Sequence, residues 1–170
     1  MKKKIIHFHP SSFYSESFVN PLIQFEQRLK YKVTLVNSTK VNNSLKLSNS
    51  IPRKYIQYNL AVKNILFLPI SLVNILVLLV KIKPTYIISH NIRSSLLPLI
   101  ATKLYGRTKS IYFNHGVSYL GHKGLARLGL YLIEYFNCLL ASHVITVSAN
   151  AKKELSNLTK TPISLILNGS

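Results

Sequence analysis

The chain has 170 residues, of which 48% are hydrophobic, with six glycines and seven prolines. That length and composition support one folded domain with a sizeable core and exclude a disordered chain. The sequence contains 22 Lys and Arg residues but only four acidic residues, all of them Glu, so the formal net charge is +18. Such a surface attracts polyanions, of which nucleic acid and anionic membrane are the two obvious ones.

Short apolar runs rich in β-branched and aromatic residues alternate along the chain with longer helical patterns. This order of strands and helices, with nearly continuous apolar strands, is typical of a parallel sheet covered on both faces. We therefore predict an α/β fold with a Rossmann-like parallel sheet and helices on both faces, formed by residues 1–170 as one domain. The predicted strands are 4–8, 32–36, 54–58, 86–90, 110–114, 143–147 and 163–167, and the predicted helices are 17–30, 60–82, 93–105, 124–141 and 149–157.

Two segments bear on membrane targeting. Residues 1–8 have a basic start, but two histidines and a proline break the apolar run before any cleavage site, so we predict no signal peptide. The apolar segment 65–80 is interrupted by Pro69, Ser71 and Asn74. It is shorter than the roughly 20 apolar residues that a membrane span needs, which favours a buried or bilayer-grazing helix over a spanning one.

Ligands of open parallel sheets bind outside the carboxyl ends of the strands, so polar residues directly after the predicted strands are the candidate site residues. A histidine there can donate or accept a hydrogen bond and can exchange a proton near neutral pH, which suits sugar hydroxyls and phosphate oxygens. The candidates are His9, Ser11 and Ser12 after the first strand, His90 and Asn91 after the fourth, His115 and Gly116 after the fifth, and Ser148 after the sixth.

His115 is the strongest of these candidates. Gly116 follows it and allows close backbone approach, and the loop of 115–124 contains three glycines between a strand and a helix, which favours a ligand loop. His143 is interpreted instead as a packed histidine on its strand, and a packed role is also the alternative for His90.

Several kinds of site are disfavoured. The sequence contains neither G-x-G-x-x-G nor G-x-x-x-x-G-K-[ST], which argues against a simple dehydrogenase or NTPase. It has no Asp and one Cys, Cys138, which lies in an apolar helical stretch and fits a core thiol in a reducing compartment. We predict no metal site and no cofactor. Only Glu16 lies near a predicted strand end, so the chain lacks a placed carboxylate pair for acid–base hydrolysis.

Residues 112–148 resemble the region after the fifth strand in family-four (group 1) glycosyltransferases of the GT-B fold. The shared pattern is a strand, a His-Gly loop, a helix containing Glu134, and then Ala-Ser-x-Val-Ile-Thr-Val-Ser. The Lys-Lys-Glu-Leu helix at 152–155 and the strand that ends in Asn-Gly-Ser at 168–170 continue the resemblance, which covers nearly the whole chain and is most specific from 112 to 170. It implies the N-terminal, acceptor-side half of a GT-B architecture.

The resemblance also implies an activity: transfer of a sugar from a nucleotide-sugar donor, as substrate, to a lipid-linked or growing glycan of bacterial capsule, O-antigen or similar polysaccharide. His115 would be the catalytic histidine at the cleft, where it contacts the transferred sugar, and Gly116 would give it room. The family often has a Gly-Gly pair after the first strand, where this chain has Pro10, Ser11 and Ser12. The family's paired glutamates and diphosphate-binding cations belong to a C-terminal donor domain that we expect to be absent here, so the chain alone should be inactive.

The basic charge then favours peripheral binding at the inner face of the cytoplasmic membrane, through the 60–82 helix and nearby Lys63, Lys81 and Lys83. One alternative is a truncated, non-catalytic module that binds membrane or glycan. Another is a nucleic-acid binding domain, which is disfavoured because the Lys and Arg residues are scattered and are not clustered with aromatics on one face.

Overall fold

The computed structural model describes residues 3–10, 12–38, 53–56, 58 and 66–167. In these residues the chain forms one parallel sheet of seven strands in the order β3-β2-β1-β4-β5-β6-β7, which confirms the predicted Rossmann-like fold. The strands are β1 (Lys4–His9), β2 (Lys32–Asn37), β3 (Arg53–Tyr55), β4 (Tyr86–His90), β5 (Lys109–Asn114), β6 (His143–Thr146) and β7 (Ile163–Leu165). The α-helices of the described residues are α1 (Ser12–Arg28), α2 (Leu68–Ile82), α3 (Ile92–Tyr105), α4 (Gly124–Leu140) and α5 (Ala149–Leu158), and a 3₁₀ helix spans Ser118–Gly121.

The strand order reverses between β1 and β4. The chain moves outward from β1 to β3, crosses back to place β4 on the other side of β1, and then continues through β5, β6 and β7. The register pairs Phe8 with Ser89 and His90 with Phe113, so β1, β4 and β5 end at nearly the same level. Ligand sites of open α/β sheets lie at such a reversal, on the carboxyl edge.

Alternating residues of the strands face two separate apolar layers, because successive strand side chains point to opposite faces. One layer packs Ile5, Leu35 and Ile88 against Val19 and Ile23 of α1. The other places neighbouring strand positions, such as Ile6, Phe8, Ile87, Tyr112 and Val144, with residues of α2, α3, α4 and α5. Helices therefore cover both faces of the sheet, as predicted, with α1 on one side and the remaining four on the other.

Helix α3 is enclosed by its neighbours α2 and α4, and its small residues allow the close packing. Most of its positions are buried, including Ser94, Ser95, Ala101 and Thr102. The outer surfaces of the two flanking helices remain apolar and exposed. One row, on α2 and the turn before it, is Leu66, Phe67, Ile70, Val73, Val77 and Val80, and the other, on α4, is Leu125, Leu128, Leu132, Phe136 and Leu139.

Element boundaries differ from the predictions at several points. Helix α2 begins at Leu68 and not at residue 60, and Pro69 in its first turn fits a helix start. Residues 60–65 lie outside the described residues. Helix α1 begins at Ser12, five residues before its predicted start. Strand β3 is Arg53–Tyr55, shorter and earlier than predicted.

The two polar residues that directly precede α3 and α5 differ in capping. The Ser148 hydroxyl accepts a hydrogen bond of 3.1 Å from the Ala151 amide at the start of α5, as expected of a capping serine. Asn91 precedes α3 but its side chain makes no capping hydrogen bond. Its backbone φ of 73° and ψ of 142° is an unusual conformation for a residue other than glycine.

None of the helices in the described part of the chain combines the length and apolar content needed to cross a bilayer.

Candidate functional site

Three histidines on neighbouring strands form a chain of hydrogen bonds that begins at Glu26 of α1. The His7 Nε2 and Glu26 Oε2 atoms are 2.8 Å apart, His7 Nδ1 and His90 Nε2 are 3.1 Å apart, and His90 Nδ1 and His115 Nε2 are 3.4 Å apart. The three histidines lie on the α1 face of the sheet: His7 in the middle of β1, His90 at the end of β4 and His115 directly after β5. Glu26 reaches His7 from the last turn of α1. The chain connects a carboxylate inside the protein with a histidine at its surface.

The inner members of this chain are buried and the outermost is exposed. His7 and His90 have 0% and 1% of their surface exposed, and Glu26 has 7%, whereas His115 is exposed. The ring of Phe113 stacks on His115 with 4.8 Å between centroids and lies beside His90 at 5.4 Å. His9 tilts against His90 at 5.6 Å. These packed rings hold the histidines in fixed positions.

The environment keeps two of these histidines neutral at pH 7. Burial lowers the pKa of His90 well below its ordinary value, and the neighbouring histidines His7, His9 and His115 lower it further. Partial desolvation by the surrounding protein also lowers the pKa of His115. A neutral imidazole has one donor nitrogen and one acceptor nitrogen, so each of these rings can pass a hydrogen bond along the chain.

The loop that carries His115 is fastened from the other face of the sheet by Asn114. Its Oδ1 accepts a hydrogen bond from the Gly116 amide at 2.9 Å. Its Nδ2 lies 2.8 Å from Glu134 Oε1, 3.2 Å from the Gly116 carbonyl and 3.3 Å from the Tyr112 hydroxyl. Three acceptors thus share two amide hydrogens, and the backbone around Gly116 is fixed relative to α4.

Glu134 is fully buried beneath this loop. Burial raises the pKa of its carboxyl to about 7, against the opposing effect of hydrogen bonds from Tyr112 and Asn114. Its second oxygen, Oε2, has no hydrogen-bond partner within the described residues. A proton on that oxygen removes the buried charge, so near pH 7 this carboxyl is balanced between its neutral and charged forms.

A cleft of about 310 Å³ opens at the carboxyl edge between β4 and β5, beside the first turn of α3. The strained backbone of Asn91 forms part of its rim, as expected where a fold holds a ligand-binding group in place. The lining residues are Asn91, Ile92, His115, Gly116, Val117 and Ser118.

A second cavity, of about 510 Å³, lies at the opposite edge of the sheet, between the first residues of β1 and β2 and the end of α2. Lys4, Lys32 and Lys81 line it, and Lys4 Nζ donates a hydrogen bond of 2.8 Å to the Ile82 carbonyl. The histidines are absent from this lining. Its basic character suits an anion, but it lies away from the strand ends where the reactive side chains meet.

The structure brings several of the predicted site residues together. His115, Gly116 and Asn91 line the cleft, and His90 lies directly beneath His115. His9 packs beside His90, Ser12 is the first residue of α1, and Ser11 lies outside the described residues. His143 bonds through Nε2 to the Ser164 hydroxyl at 2.9 Å, between β6 and β7, which fits the structural role predicted for it.

Sequence reasoning missed the parts played by His7, Glu26 and Glu134, although helical spacing marks the two glutamates as core-facing. Glu26 follows the buried Val19 and Ile23 by seven and three positions, so it shares the core-facing side of α1. Glu134 falls on the buried side of α4 with Leu130, Asn137 and Cys138. A carboxylate at core-facing spacing needs a buried partner. The side chain of Glu16, the acidic residue predicted near a strand end, lies outside the described side chains.

Within the described residues, no group of three or more His, Cys or Glu could hold a metal ion. The clustered histidines bond to one another and to Glu26 through their ring nitrogens.

A parallel sheet with a reversal between β1 and β4 and a cleft at its carboxyl edge defines the Rossmann-like half of a GT-B architecture. The chain matches the model of Glycosyltransferase Family 4 over residues 16–169 and belongs to that family. No curated protein matches it by sequence.

Solved structures share the fold at low sequence identity. A sucrose-phosphate synthase from Thermosynechococcus elongatus superposes with a TM-score of 0.78 at 13% identity, over 99% of this chain and 49% of that one. A lipopolysaccharide outer core galactosyltransferase in its apo form gives 0.73 at 15% identity, over 99% and 46%. The S. aureus MnaA–UDP structure gives 0.73 at 15% identity, over 99% and 44%. This chain therefore spans slightly less than half of each of these three proteins.

Proposed function

We propose that this chain is the N-terminal, acceptor-side domain of a glycosyltransferase that moves a sugar from a nucleotide-sugar donor to a lipid-linked or growing glycan. The observation that carries the proposal is the cleft formed by His115 and Gly116, which a buried hydrogen-bond network holds in place from both faces of the sheet. Membership in Glycosyltransferase Family 4 supports the same activity. The acceptor belongs to the assembly of a bacterial surface polysaccharide such as capsule or O-antigen.

The groups in the cleft suit sugar hydroxyls better than phosphates. His115 and Asn91 offer neutral side chains that donate and accept hydrogen bonds, and Gly116 offers backbone groups without a side chain in the way. The lining contains neither Lys, Arg nor a carboxylate. The charge that develops on a departing nucleotide diphosphate needs cations or aligned donors, so we assign those groups to a second, donor-binding domain.

The test is a transfer assay with this chain combined with a donor-binding domain, scored as nucleotide release from a panel of UDP- and GDP-sugars. We expect His115→Ala to lower the rate by about 100-fold or more, as for loss of a group that handles a proton in the transition state. His122→Ala is the matched control, because His122 is exposed in the same loop region and bonds only to the Ser118 carbonyl in the described residues. Equal rates in the two variants would remove His115 from the mechanism.

A lipid-linked acceptor requires contact with a membrane, and the outer surface of α2 supports such contact. Its row of exposed apolar side chains ends at Lys81 and Lys83, and the basic cavity of Lys4, Lys32 and Lys81 lies at the same end of the helix. Apolar side chains that enter a bilayer beside lysines at headgroup level are typical of peripheral binding to anionic lipid. We therefore propose that the domain docks through α2 on the inner face of the cytoplasmic membrane. Lys63, which we expected to contribute, lies outside the described residues.

Vesicle sedimentation tests the docking. We expect the protein to sediment with vesicles containing phosphatidylglycerol and to remain in solution with pure phosphatidylcholine. Replacing Ile70 and Val73 by Ser should abolish sedimentation, whereas Phe25→Ser, at an equally exposed site on α1, should not change it. The same sedimentation with both lipids, or the same loss from the α1 variant, would refute docking through α2.

The uncharged cleft also supports a second candidate, a non-catalytic module that binds glycan or membrane. Such a module would bind an acceptor glycan with unchanged affinity in the presence of the donor-binding domain and would release no nucleotide. The transfer assay above separates the two functions directly.

A further inference from the structure

We propose that Glu26, His7 and His90 form a proton relay that sets the protonation state of His115 at the cleft. The evidence is a continuous set of three hydrogen bonds that runs from the buried Glu26 carboxylate through two buried imidazoles to an exposed one. In this proposal Glu26, His7 and His90 are positioning residues, and His115 is the group that meets the substrate. This role for His115 rests on the proposed transferase function.

The geometry of the rings favours proton transfer between nitrogen atoms at their facing edges. The His7 and His90 rings are inclined by only 17°, and those of His90 and His115 by 24°. Their centroids are 5.4 and 5.6 Å apart, while the facing nitrogens are 3.1 and 3.4 Å apart. Nearly coplanar rings with their closest approach at nitrogen atoms meet edge to edge, which is the arrangement of an N–H···N hydrogen bond. The longer second bond is of the kind that tightens once a substrate binds.

The carboxylate sets the direction of all three bonds. An ionised Glu26 only accepts hydrogen bonds, so His7 Nε2 must carry a hydrogen and donate it. Neutral His7 then accepts at Nδ1 from His90 Nε2, and neutral His90 accepts at Nδ1 from His115 Nε2. In this state every ring hydrogen points toward Glu26, and the unprotonated nitrogen of His115 is Nδ1.

Proton uptake at the cleft reverses this order and moves the added positive charge away from His115. When His115 Nδ1 takes a proton from a substrate hydroxyl, an N–H bond forms and the O–H bond breaks. Its electron pair stays on the oxygen, which forms the new bond to the donor sugar as the nucleotide leaves. The His115 Nε2 proton then moves to His90 Nδ1, and the His90 Nε2 proton moves to His7 Nδ1. His7 becomes an imidazolium beside the Glu26 carboxylate, or passes its Nε2 proton on to give neutral Glu26. His115 is an imidazolium only until its Nε2 proton leaves and is neutral again at the end, and the number of protons is conserved at each step.

The electrostatics place the added proton at the Glu26 end. The titratable groups that face the relay in the described residues are His7 and His9 from β1, Glu26 from α1, His90 from β4 and His115 after β5, while Phe113 presents an apolar ring. Among these groups Glu26 alone carries negative charge. Burial disfavours a charge on His90, so a proton passes through this ring and comes to rest beside the carboxylate.

The test is proton titration of the histidines by long-range ¹H–¹⁵N NMR, which reports both tautomer and protonation. In the unaltered protein we expect His7, His90 and His115 all to carry hydrogen on Nε2 at high pH. Glu26→Gln keeps an acceptor for His7 but removes the charge that attracts the proton. We therefore expect the midpoint of the change of His115 from its Nε2–H to its Nδ1–H form to fall by about one pH unit. Glu154→Gln, the same change on α5 at the other face of the sheet, should leave the midpoint unaltered. An unmoved midpoint in Glu26→Gln, or Nδ1-protonated rings at high pH, would overturn the relay.

Two further measurements test the relay if Glu26→Gln is unstable. Glu26→Asp preserves the charge and should return the midpoint most of the way to that of the unaltered protein. Failure to do so in a folded protein would count against the relay.

In the transfer assay with the donor-binding domain, activity should fall at low pH as the relay takes up a proton. Glu26→Gln should move this acidic limb of the pH profile to lower pH. A purely structural role would lower the rate without moving the limb. If the NMR shift occurs but no sugar donor is turned over, the relay stands and the proposed function fails.

Discussion

Asn114 on β5 and Glu134 on α4 are joined by a hydrogen bond of 2.8 Å between Nδ2 and Oε1, and the same amide group also bonds to the loop that carries His115. The core on one face of the sheet thereby controls the position of a residue on the other face. The cleft depends on a carboxyl group that no ligand can reach.

The stability of the protein should fall as pH rises because of Glu134. Burial raises the pKa of its carboxyl from an ordinary value of 4.5 to about 7, so between these values the folded state binds more protons than the unfolded state. The stabilising contribution is fully present below pH 4.5 and is lost as pH rises through 7, with a loss of the order of 3 kcal/mol. Glu134→Gln should remove this dependence. Urea unfolding at pH 5 and pH 8 gives the change in the free energy of unfolding for the unaltered protein and for Glu134→Gln. The same change in both proteins would show that the carboxyl does not titrate in this range.

Two Gly→Ala changes should have opposite signs. Gly116 has a φ of 151°, which an L side chain rarely adopts, although a Cβ there meets no atom within 4 Å. Gly116→Ala should therefore destabilise the protein by about 1 kcal/mol through backbone strain alone. Gly129 lies on exposed α4 with equally open space, so Gly129→Ala should stabilise the protein by about 0.5–1 kcal/mol. Thermal unfolding of both variants measures the difference, and a stabilising Gly116→Ala would contradict the described backbone.

Removal of the α5 cap should be measurable. Ser148→Ala deletes the 3.1 Å bond from the Ala151 amide and should cost about 1 kcal/mol. Ser156→Ala provides a matched control in the same helix, because the exposed Ser156 hydroxyl bonds to the Lys152 carbonyl within the helix. That change should be neutral or slightly stabilising. Similar losses from both variants would show that the loss is not specific to the cap.

The backbone at Asn91 should carry strain that glycine relieves. Asn91 has a φ of 73° and a ψ of 142°, makes no capping bond through its side chain, and lines the cleft. We expect Asn91→Gly to raise the free energy of unfolding by up to about 1 kcal/mol and Asn91→Ala to lower it. Chemical denaturation compares the three proteins. Asn91→Gly should also weaken acceptor binding if the amide contacts the glycan, so a variant that gains stability and keeps full affinity would limit Asn91 to a structural role.

The parallel sheet and its helices could be predicted from the sequence because apolar patterns are a local property. Strand β4 was predicted with its observed bounds, and α3 and α5 were within one residue of theirs. The start of α2 was harder to predict, because the apolar run before Leu68 fits both a helix and a loop. Boundaries of this kind depend on tertiary contacts that a pattern does not contain.

The candidate site could be predicted only in part, for the same reason. The search for polar residues at strand ends identified His90 and His115 as candidate site residues. The relay could not be predicted, because the link from His7 to His90 joins residues 83 positions apart and depends on which strands are adjacent. The strand order reverses after β1, and only that reversal brings the two histidines side by side.

The central position of β1 also governs how the protein folds during synthesis. β1 pairs with β2 nearby in sequence, but its other neighbour, β4, begins at Tyr86. A ribosome that makes about 5–20 residues per second leaves one edge of this apolar strand unpaired for several seconds. Closure of so long a segment slows folding, and the early intermediate exposes an edge that can pair with another chain. The unpaired edge of β1 is thus open to pairing with other chains until His90 has emerged.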